Sequence, residues 1–450
     1  MTAPQGRAVP DGRSVAARAL IRVERDGAFA AAALDTEIER APQLSGRDRA
    51  FATELLYGTL RVLPWLRTRI DARAKHPLSK QPLPVRAALL LGAYQLYFAR
   101  VPAFAAVDAA VEGVRAELGR EVAGFVNAVL RRVGEDAAAA KPSREEALFD
   151  SCPEWLRASL AQALGEPRSR AFLAAGEPSV GLRVRFGVDR TAALEALRAA
   201  KPDGTFEPGR ASPFAITAHH GGRPRDLPGV REGSLFVQEE GSQVIALALG
   251  AQVGETVLDA CAGRGNKTAL LAEIVGPTGA VDACDLHENK LERMKADLAA
   301  RGTPVHAIFG VDWAEGTGDV PEGYDRVLVD APCSGIGTLR RRPDLLLRRE
   351  AESITELQTL QHAILLRAST RVRPGGTLVY AVCSVLGEEC EAVVDRFLES
   401  APDFASVPFS ADFPVFSGNE SALRLTPEEH GTDGYYLACL RRVANQAVGA

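Results

Sequence analysis

Two cysteines carry the sharpest chemical signal in this chain. Cys333 stands in Asp330-Ala331-Pro332-Cys333-Ser334-Gly335 and Cys383 in Tyr380-Ala381-Val382-Cys383-Ser384, each just past the end of a run that reads as a strand. A thiolate forms readily, attacks well and leaves again, so a thiol at such a position can serve covalent catalysis. Most lone cysteines are simply small buried apolar residues. That bland reading suits Cys152, Cys284, Cys390 and Cys439. It suits Cys333 and Cys383 less, because they sit beside Pro, Gly and Ser rather than inside apolar runs. At the ends of two strands, both could line one cleft.

A second constellation is Val257-Leu258-Asp259-Ala260-Cys261-Ala262-Gly263-Arg264-Gly265-Asn266-Lys267-Thr268, a strand running through a glycine turn into a helix. Such a turn lets backbone N–H groups approach an anionic or polar ligand. A phosphate loop needs glycines where Cys261 and Asn266 stand, and a dinucleotide fingerprint needs one where Thr268 stands. A nucleoside-type cofactor such as S-adenosylmethionine asks only for the tight turn and an acid further on. A glycine turn without any ligand stays open beside these. The acid is present: Asp285 ends the next strand, 26 residues after Asp259, where it can accept from ribose hydroxyls. Asp312 ends the third strand and Asp330 the fourth. Acids at four consecutive strand ends are hard to assign to packing, since a sheet interior has no use for carboxylates.

The elements that must position these groups follow from periodicity. From residue 236, strand-like runs at 255–259, 280–285, 305–309, 325–330 and 377–383 alternate with helical patterns at 267–275, 287–301 and 354–372. That alternation predicts a parallel sheet covered by helices, a doubly wound α/β domain, with 435–441 as one more strand. Residues 13–135 instead repeat apolar side chains at helical spacing, as in Val107, Val111, Val114 and Leu118. Ser45 with Asp48, and Pro82 with Pro84, mark two helix starts there. Residues 135–144 (EDAAAAKPSR) read as a connector, and 145–235 as a small α+β module with a strand near 182–186 and a helix near 192–199. The expected domains are thus 1–140, all helical; 141–235, α+β; 236–442, α/β; and a tail, 443–450.

Length and composition agree with this organisation. The 450 residues are 46% apolar and 25% charged, which rules out disorder as the main state and allows two or three cores. There is no 18-residue apolar stretch and no secretory signal pattern, so a cytoplasmic location is expected. Seven cysteines without a Cys-x-x-Cys pair make neither a disulfide framework nor a structural zinc site, and no metal is expected. The net charge of −5 hides an asymmetry: residues 1–140 hold 20 Lys+Arg against 15 Asp+Glu, and residues 236–450 hold 19 against 31. The front of the chain can therefore meet a polyanion, or present an ordinary solvated helical surface.

Residues 261–268, 330–335 and 380–384 resemble three signature motifs of the RsmB/Sun-type RNA cytosine-5 methyltransferases. Thr338-Leu339-Arg340-Arg341-Arg342-Pro343-Asp344 is similar to that family's arginine-rich loop, and residues 238–243 (QEEGSQ) and Asp433-Gly434-Tyr435-Tyr436 also fit. Residues 48–61 (DRAFATELLYGTLR) and 125–131 (FVNAVLR) resemble a NusB-like RNA-binding domain.

The resemblance implies an all-α NusB-like front domain and a C-terminal Rossmann-like methyltransferase. It implies methylation of carbon 5 of a cytidine in small-subunit ribosomal RNA, with S-adenosylmethionine as cofactor. Cys383 would be the nucleophile and Cys333 the aid to product release. Cys261, Ala262, Gly263, Arg264, Gly265, Asn266 and Lys267 would line the cofactor, with Asp285 on its ribose, Asp312 on its adenine and Asp330 on the cofactor or the cytosine. Arg340, Arg341 and Arg342 would hold single-stranded or locally opened RNA.

One departure stands out: the family's Pro-Gly-Gly-Lys is Arg264-Gly265-Asn266-Lys267 here. Asn266 is expected to keep the turn by tolerating a left-handed backbone, and Arg264 to add a donor near the cofactor carboxylate. The contrasting readings are a non-catalytic NusB-like RNA-binding factor on a degenerate scaffold, and a nicotinamide-dependent dehydrogenase. The oligomeric default is a monomer.

Overall fold

A computed structural model describes residues 10–176, 178–303, 305–410, 415–416 and 418–444. Those residues form two compact units. One holds the chain up to Ala158 together with Arg341–Arg348; the other holds Ser159–Arg340 and the chain from Arg349 onward. Of the expected tail, residues 445–450 lie outside the described residues.

The first unit is helical. Its helices include Gly12–Asp26, Ala30–Glu39, Gly46–Arg61, Leu63–Asp71, Leu83–Phe98, Ala103–Leu118 and Arg120–Ala139. Local chemistry sets their starts. Asp11 and Ser14 form a capping box, the Ser45 hydroxyl accepts from the Asp48 N–H, and Pro82 precedes the helix that Leu83 and Pro84 open. Leu20, Leu55, Leu56, Leu66, Leu89, Leu90 and Leu130 are fully buried between them. Each such leucine contributes about 1.5–3 kcal/mol relative to exposure. Gly58 allows the closest approach: a Cβ there would lie 2.1 Å from the Tyr94 hydroxyl. Part of the positive charge of this unit is internal. Buried Glu37 holds Arg18 and Arg40 at 2.8 Å, and Glu24 holds Arg67 at 3.0 Å and Arg86 at 2.9 Å.

The expected connector at 135–144 is shorter than its composition implies. Ala137, Ala138 and Ala139 extend the Arg120–Ala139 helix, and Ser143 already caps the next, Arg144–Ser151. Alanine is the strongest helix former, so only the residues around Lys141 and Pro142 break the helix. Two more helices, Glu154–Leu164 and Glu166–Ala174, occupy the first part of the stretch expected to be α+β. Pro167 sits in a first helical turn, where proline is tolerated.

In the second unit, four short strands, β1 (Val180–Val184), β2 (Thr205–Pro208), β3 (Ala215–His219) and β4 (Leu235–Val237), form an antiparallel sheet in the order β2-β3-β1-β4. Arg183 of β1 ties it to the rest of the unit. Its fully buried guanidinium makes two bonds to Glu273, at 2.6 and 3.0 Å, and stacks on Phe236 with 4.6 Å to the ring centre.

The large sheet contains β5 (Thr256–Asp259), β6 (Ala280–Asp285), β7 (Ala307–Gly310), β8 (Tyr324–Asp330), β9 (Val372–Val382), β10 (Phe404–Ser406), β11 (Ala422–Leu425) and β12 (Tyr435–Arg442). The order is β10-β12-β9-β8-β5-β6-β7, with β11 beside β12. Strands β5 to β9 pair in parallel, as their alternation with helices Asn266–Val275, Glu288–Ala300 and Ala351–Ser369 predicts. The sheet is mixed rather than wholly parallel, because β12 runs antiparallel to β9, β10 and β11. The strand order reverses at β5, between β6 and β8. Ligands of doubly wound sheets bind at the carboxyl ends of strands around such a point.

Candidate active site

The loop leaving β5 is shaped by Gly263 and Gly265, whose φ angles are +58° and +77°. These glycines supply the left-handed conformations; Asn266 does not. Asn266 begins the helix, and its side-chain oxygen accepts from Arg301 at 3.0 Å. Gly265 also allows close packing, since a Cβ there would sit 2.6 Å from Met294 Cγ. Arg264 lies beside the helix Glu288–Ala300. Its side chain is 77% exposed and lies 3.8 Å from Asp297 on the next helix. The expected role of Asn266 is thereby corrected, because glycine already makes the turn; Asn266 and Arg264 both face the helix Glu288–Ala300 and its end.

A cleft of about 390 Å³ opens at the switch point. Of the expected cofactor residues, Cys261, Gly263, Asp285, Asp312 and Asp330 line it; Ala262, Arg264, Gly265, Asn266 and Lys267 do not. The Asp285 carboxylate accepts from the Gly263 N–H at 3.1 Å and the His287 N–H at 2.9 Å, so it is held rigidly at the end of β6. The lining also includes the apolar side chains of Trp313, Leu360 and Ile364. Trp313 is itself fixed by its indole N–H, which donates to the Ala260 carbonyl at 2.8 Å. Acids together with apolar side chains in one cleft suit a nucleoside with a polar ribose and a flat base. Sequence reasoning missed the apolar lining, because Leu360 and Ile364 follow the same helical spacing as core residues. Trp313 had one available signal, its place directly after Asp312.

Beside this cleft the two cysteines meet. Asp330 of β8 pairs in register with Ala381 of β9, so the chain just past each strand runs side by side. The sulfurs of Cys333 and Cys383 are 3.1 Å apart, both as free thiols and both half-buried. Contact with the Cys383 thiol, together with burial, pushes the Cys333 thiol well up from its ordinary value. Lys267 reaches across from the first turn of its helix to place its ammonium 2.5 Å from Asp330 Oδ2. Burial works to lower this lysine, but Asp330 outweighs it and holds the pKa above the usual range. A persistent cation thus stands within electrostatic range of Cys383. Burial raises Cys261 well above its ordinary value, aided by Asp259 and Asp330, and raises Cys152 to about 12 and Cys439 to about 11.

The model of the RsmB/F 16S rRNA methyltransferases matches residues 246–441, and the NusB family model matches residues 11–135. The chain is 32% identical over 447 residues to ribosomal RNA small subunit methyltransferase B of Pasteurella multocida, covering 96% of each. It is 39% identical over 467 residues to methyltransferase Rv1407 of Mycobacterium tuberculosis, covering 98% of each. The chain belongs to the RsmB/F family. Like that family, it is an S-adenosylmethionine-dependent methyltransferase with a NusB-like helical domain. Its fold is also that of the crystal structure of PH0851, with a TM-score of 0.79 at 23% identity over 97% of this chain and 100% of that one.

Two further motifs of this RsmB/F enzyme converge near the cysteines. The Glu239 carboxylate accepts from the Asp433 N–H at 2.9 Å and the Ser242 N–H at 3.1 Å, joining residues 238–243 to the start of β12. The Gly434 N–H donates to the Gly337 carbonyl at 2.7 Å, an approach that a side chain at Gly337 would block. The three arginines, by contrast, do not form one cluster. Arg340 is tied to Asp433 at 2.5 Å and to the Gly431 carbonyl at 2.8 Å, with its side chain only 10% exposed. A buried ion pair holds it, so it is not presented as an exposed RNA contact. Arg341 and Arg342 fall in the segment that belongs to the helical unit, where Arg342 is exposed and its guanidinium stacks on Phe29, 5.3 Å from the ring centre. Sequence spacing alone made these three residues neighbours.

Proposed function

We propose that this enzyme methylates carbon 5 of a cytidine in small-subunit ribosomal RNA through a covalent bond to Cys383. The observation that carries the reading is the pair of thiols in contact beside the cofactor cleft. Carbon 5 of cytosine is a poor nucleophile until a thiolate adds to the adjacent carbon 6 and breaks the aromaticity of the ring. Cys383 releases its proton to solvent water, and its thiolate forms a bond to carbon 6 as the carbon 5–carbon 6 double-bond pair shifts to carbon 5. S-adenosylmethionine, when bound, supplies the electrophilic methyl group. Asp285 and Asp312 hold the ribose and adenine ends of the cleft against Trp313 and Ile364. Cys333 then assists removal of the carbon 5 proton, so that the Cys383 bond breaks and the methylated base leaves. Lys267 holds Asp330 at the junction of the two sites, where its second oxygen can accept from the cytosine or the cofactor.

The target base has to leave its stack to reach the thiols, so the substrate is single-stranded or locally opened RNA, and opening costs on the order of a few kcal/mol. The NusB-like unit adds affinity and choice of site, with Arg341 and Arg342 among its candidate contacts. The enzyme works as a cytoplasmic monomer. Among the described residues, no helix is long and apolar enough to cross a membrane. Arg264 was the sole feature pointing to a degenerate scaffold, and its side chain lies outside the cleft.

The test is methyl transfer from labelled S-adenosylmethionine to unmodified small-subunit ribosomal RNA, followed by digestion to nucleosides. Wild type should place label in 5-methylcytidine and Cys383→Ala none. Cys333→Ala should accumulate a covalent RNA adduct. Label in another nucleoside, or activity retained by Cys383→Ala, overturns the reading.

A further inference from the structure

Behind the two thiols lies a carboxylate that the proposed chemistry does not touch. Glu389 is fully buried. Its Oε1 accepts from the Ser334 N–H at 2.7 Å and from Gln361 Nε2 at 3.0 Å. Its Oε2 accepts from both the Ser334 and the Ser384 hydroxyls, the latter at 2.6 Å. Ser334 and Ser384 are the residues that directly follow Cys333 and Cys383. One carboxylate thus grips both cysteine loops one residue beyond each sulfur.

The two loops are built alike. The Ser334 hydroxyl donates to Glu389 and accepts from the Ile336 N–H at 3.3 Å; the Ser384 hydroxyl donates to Glu389 and accepts from the Leu386 N–H at 3.3 Å. Each serine thus donates to the carboxylate and accepts within its own turn, and the two hydroxyls lie 3.5 Å apart. Glu389 is held in turn, because Tyr380 donates its hydroxyl to the Glu389 carbonyl at 2.7 Å. Gln361 adds a second tie to the same loop, donating to the Pro332 carbonyl at 3.0 Å.

We propose that Glu389 is the positioning residue that sets the separation of Cys333 and Cys383. The proposal rests on the reading that Cys383 adds to carbon 6 while Cys333 assists at carbon 5. Those are adjacent ring atoms, so the separation of the two sulfurs must be held through the whole cycle; strand pairing ends before either is reached, and the Gly337 N–H, which donates to the Cys383 carbonyl at 3.1 Å, leaves the side chains to be set. A loop displacement of about 1 Å is enough to cost on the order of 100-fold in rate. The bridging carboxylate prevents that displacement. Glutamine cannot replace it: in one orientation its amide N–H groups meet the two serine hydroxyls, and in the other they meet the Ser334 N–H and the Gln361 Nε2, donors that need an acceptor.

The test uses the full chain with Glu389→Gln and, separately, Ser334→Ala/Ser384→Ala. Two readouts are taken: methyl-transfer kinetics, and the rate at which diamide oxidises Cys333 and Cys383 to a disulfide. In that oxidation the two thiols give up two protons and two electrons to the diamide. Glu389→Gln should lower kcat about 100-fold, leave KM for cofactor and RNA within about two-fold, and slow disulfide formation at least about ten-fold. The double serine variant should reproduce both losses, and adding Glu389→Gln to it should produce little further loss. Wild-type kcat and oxidation rate in Glu389→Gln overturn the proposal, as does full additivity with the serine changes. If Glu389→Gln fails to fold, the serine variant decides alone, and full activity there is fatal. The oxidation rate reads geometry without catalysis, so retained activity in Cys383→Ala would sink the proposed mechanism while this measurement still judged Glu389.

Discussion

The Lys267 ammonium lies 2.5 Å from Asp330 Oδ2, joining the first turn of the helix after β5 to the last residue of β8. This contact couples the cofactor cleft to the thiol pair, because Asp330 lines the cleft and Lys267 stands within the field of Cys383. A charge-assisted hydrogen bond of this kind contributes about 1.5–3 kcal/mol.

Lys267→Met should leave Asp330 without its cation and the Cys383 site without its positive field. Methyl transfer is expected to fall by at least about ten-fold, corresponding to more than about 1.4 kcal/mol of transition-state stabilisation. Single-turnover kinetics at saturating cofactor measure it. An unchanged rate would mean that the pair is only a structural clasp.

Asp259 predicts a pH effect on stability. It is buried beneath the glycine loop and accepts from the Thr268 hydroxyl at 2.7 Å; burial pushes its carboxyl up to about 6 from 3.8. A carboxyl raised in the folded state binds its proton more tightly there than in the unfolded chain. Stability from this group is therefore full below pH 4 and is lost as pH rises from about 4 to about 6. Asp259→Asn keeps an acceptor for Thr268 and removes the titration. Relative to wild type, the variant should gain about 1–3 kcal/mol between pH 4 and pH 7, read by denaturant unfolding without cofactor. A constant difference across that range would refute the assignment.

Arg183 and Glu273 form a pair that is 0% and 7% exposed. Removing one partner strands the other charge. Arg183→Met should destabilise the second unit by about 3–5 kcal/mol. Urea unfolding followed by a probe in that unit checks this, and a loss below 1 kcal/mol would show that water reaches Glu273.

Arg264→Ala should change S-adenosylmethionine affinity by less than about two-fold, since the side chain points to Asp297 and away from the cleft. Titration calorimetry decides it. A ten-fold loss would return Arg264 to the cofactor site.

The strands and helices that carry the site were legible because their patterns are local. Alternating apolar runs fix β5 to β9, and the acids at their ends mark the carboxyl edge whatever the sheet order. The two Cys-Ser motifs stood out for the same reason, as did the helix starts at Ser45 and Pro82. Tertiary structure alone decided which distant groups meet. Nothing in residues 330–335 or 380–384 states that the sulfurs touch; that follows from the parallel register of β8 on β9. Glu389 reads as one acid in a charged run until folding buries it between two serines. Arg340, Arg341 and Arg342 read as one basic cluster until Asp433 captures the first and the helical unit takes the others. Periodicity records how a segment meets water, so sequence reveals elements. Pairwise contacts depend on where those elements pack, and a carboxylate or guanidinium takes its role from the partner that packing brings to it.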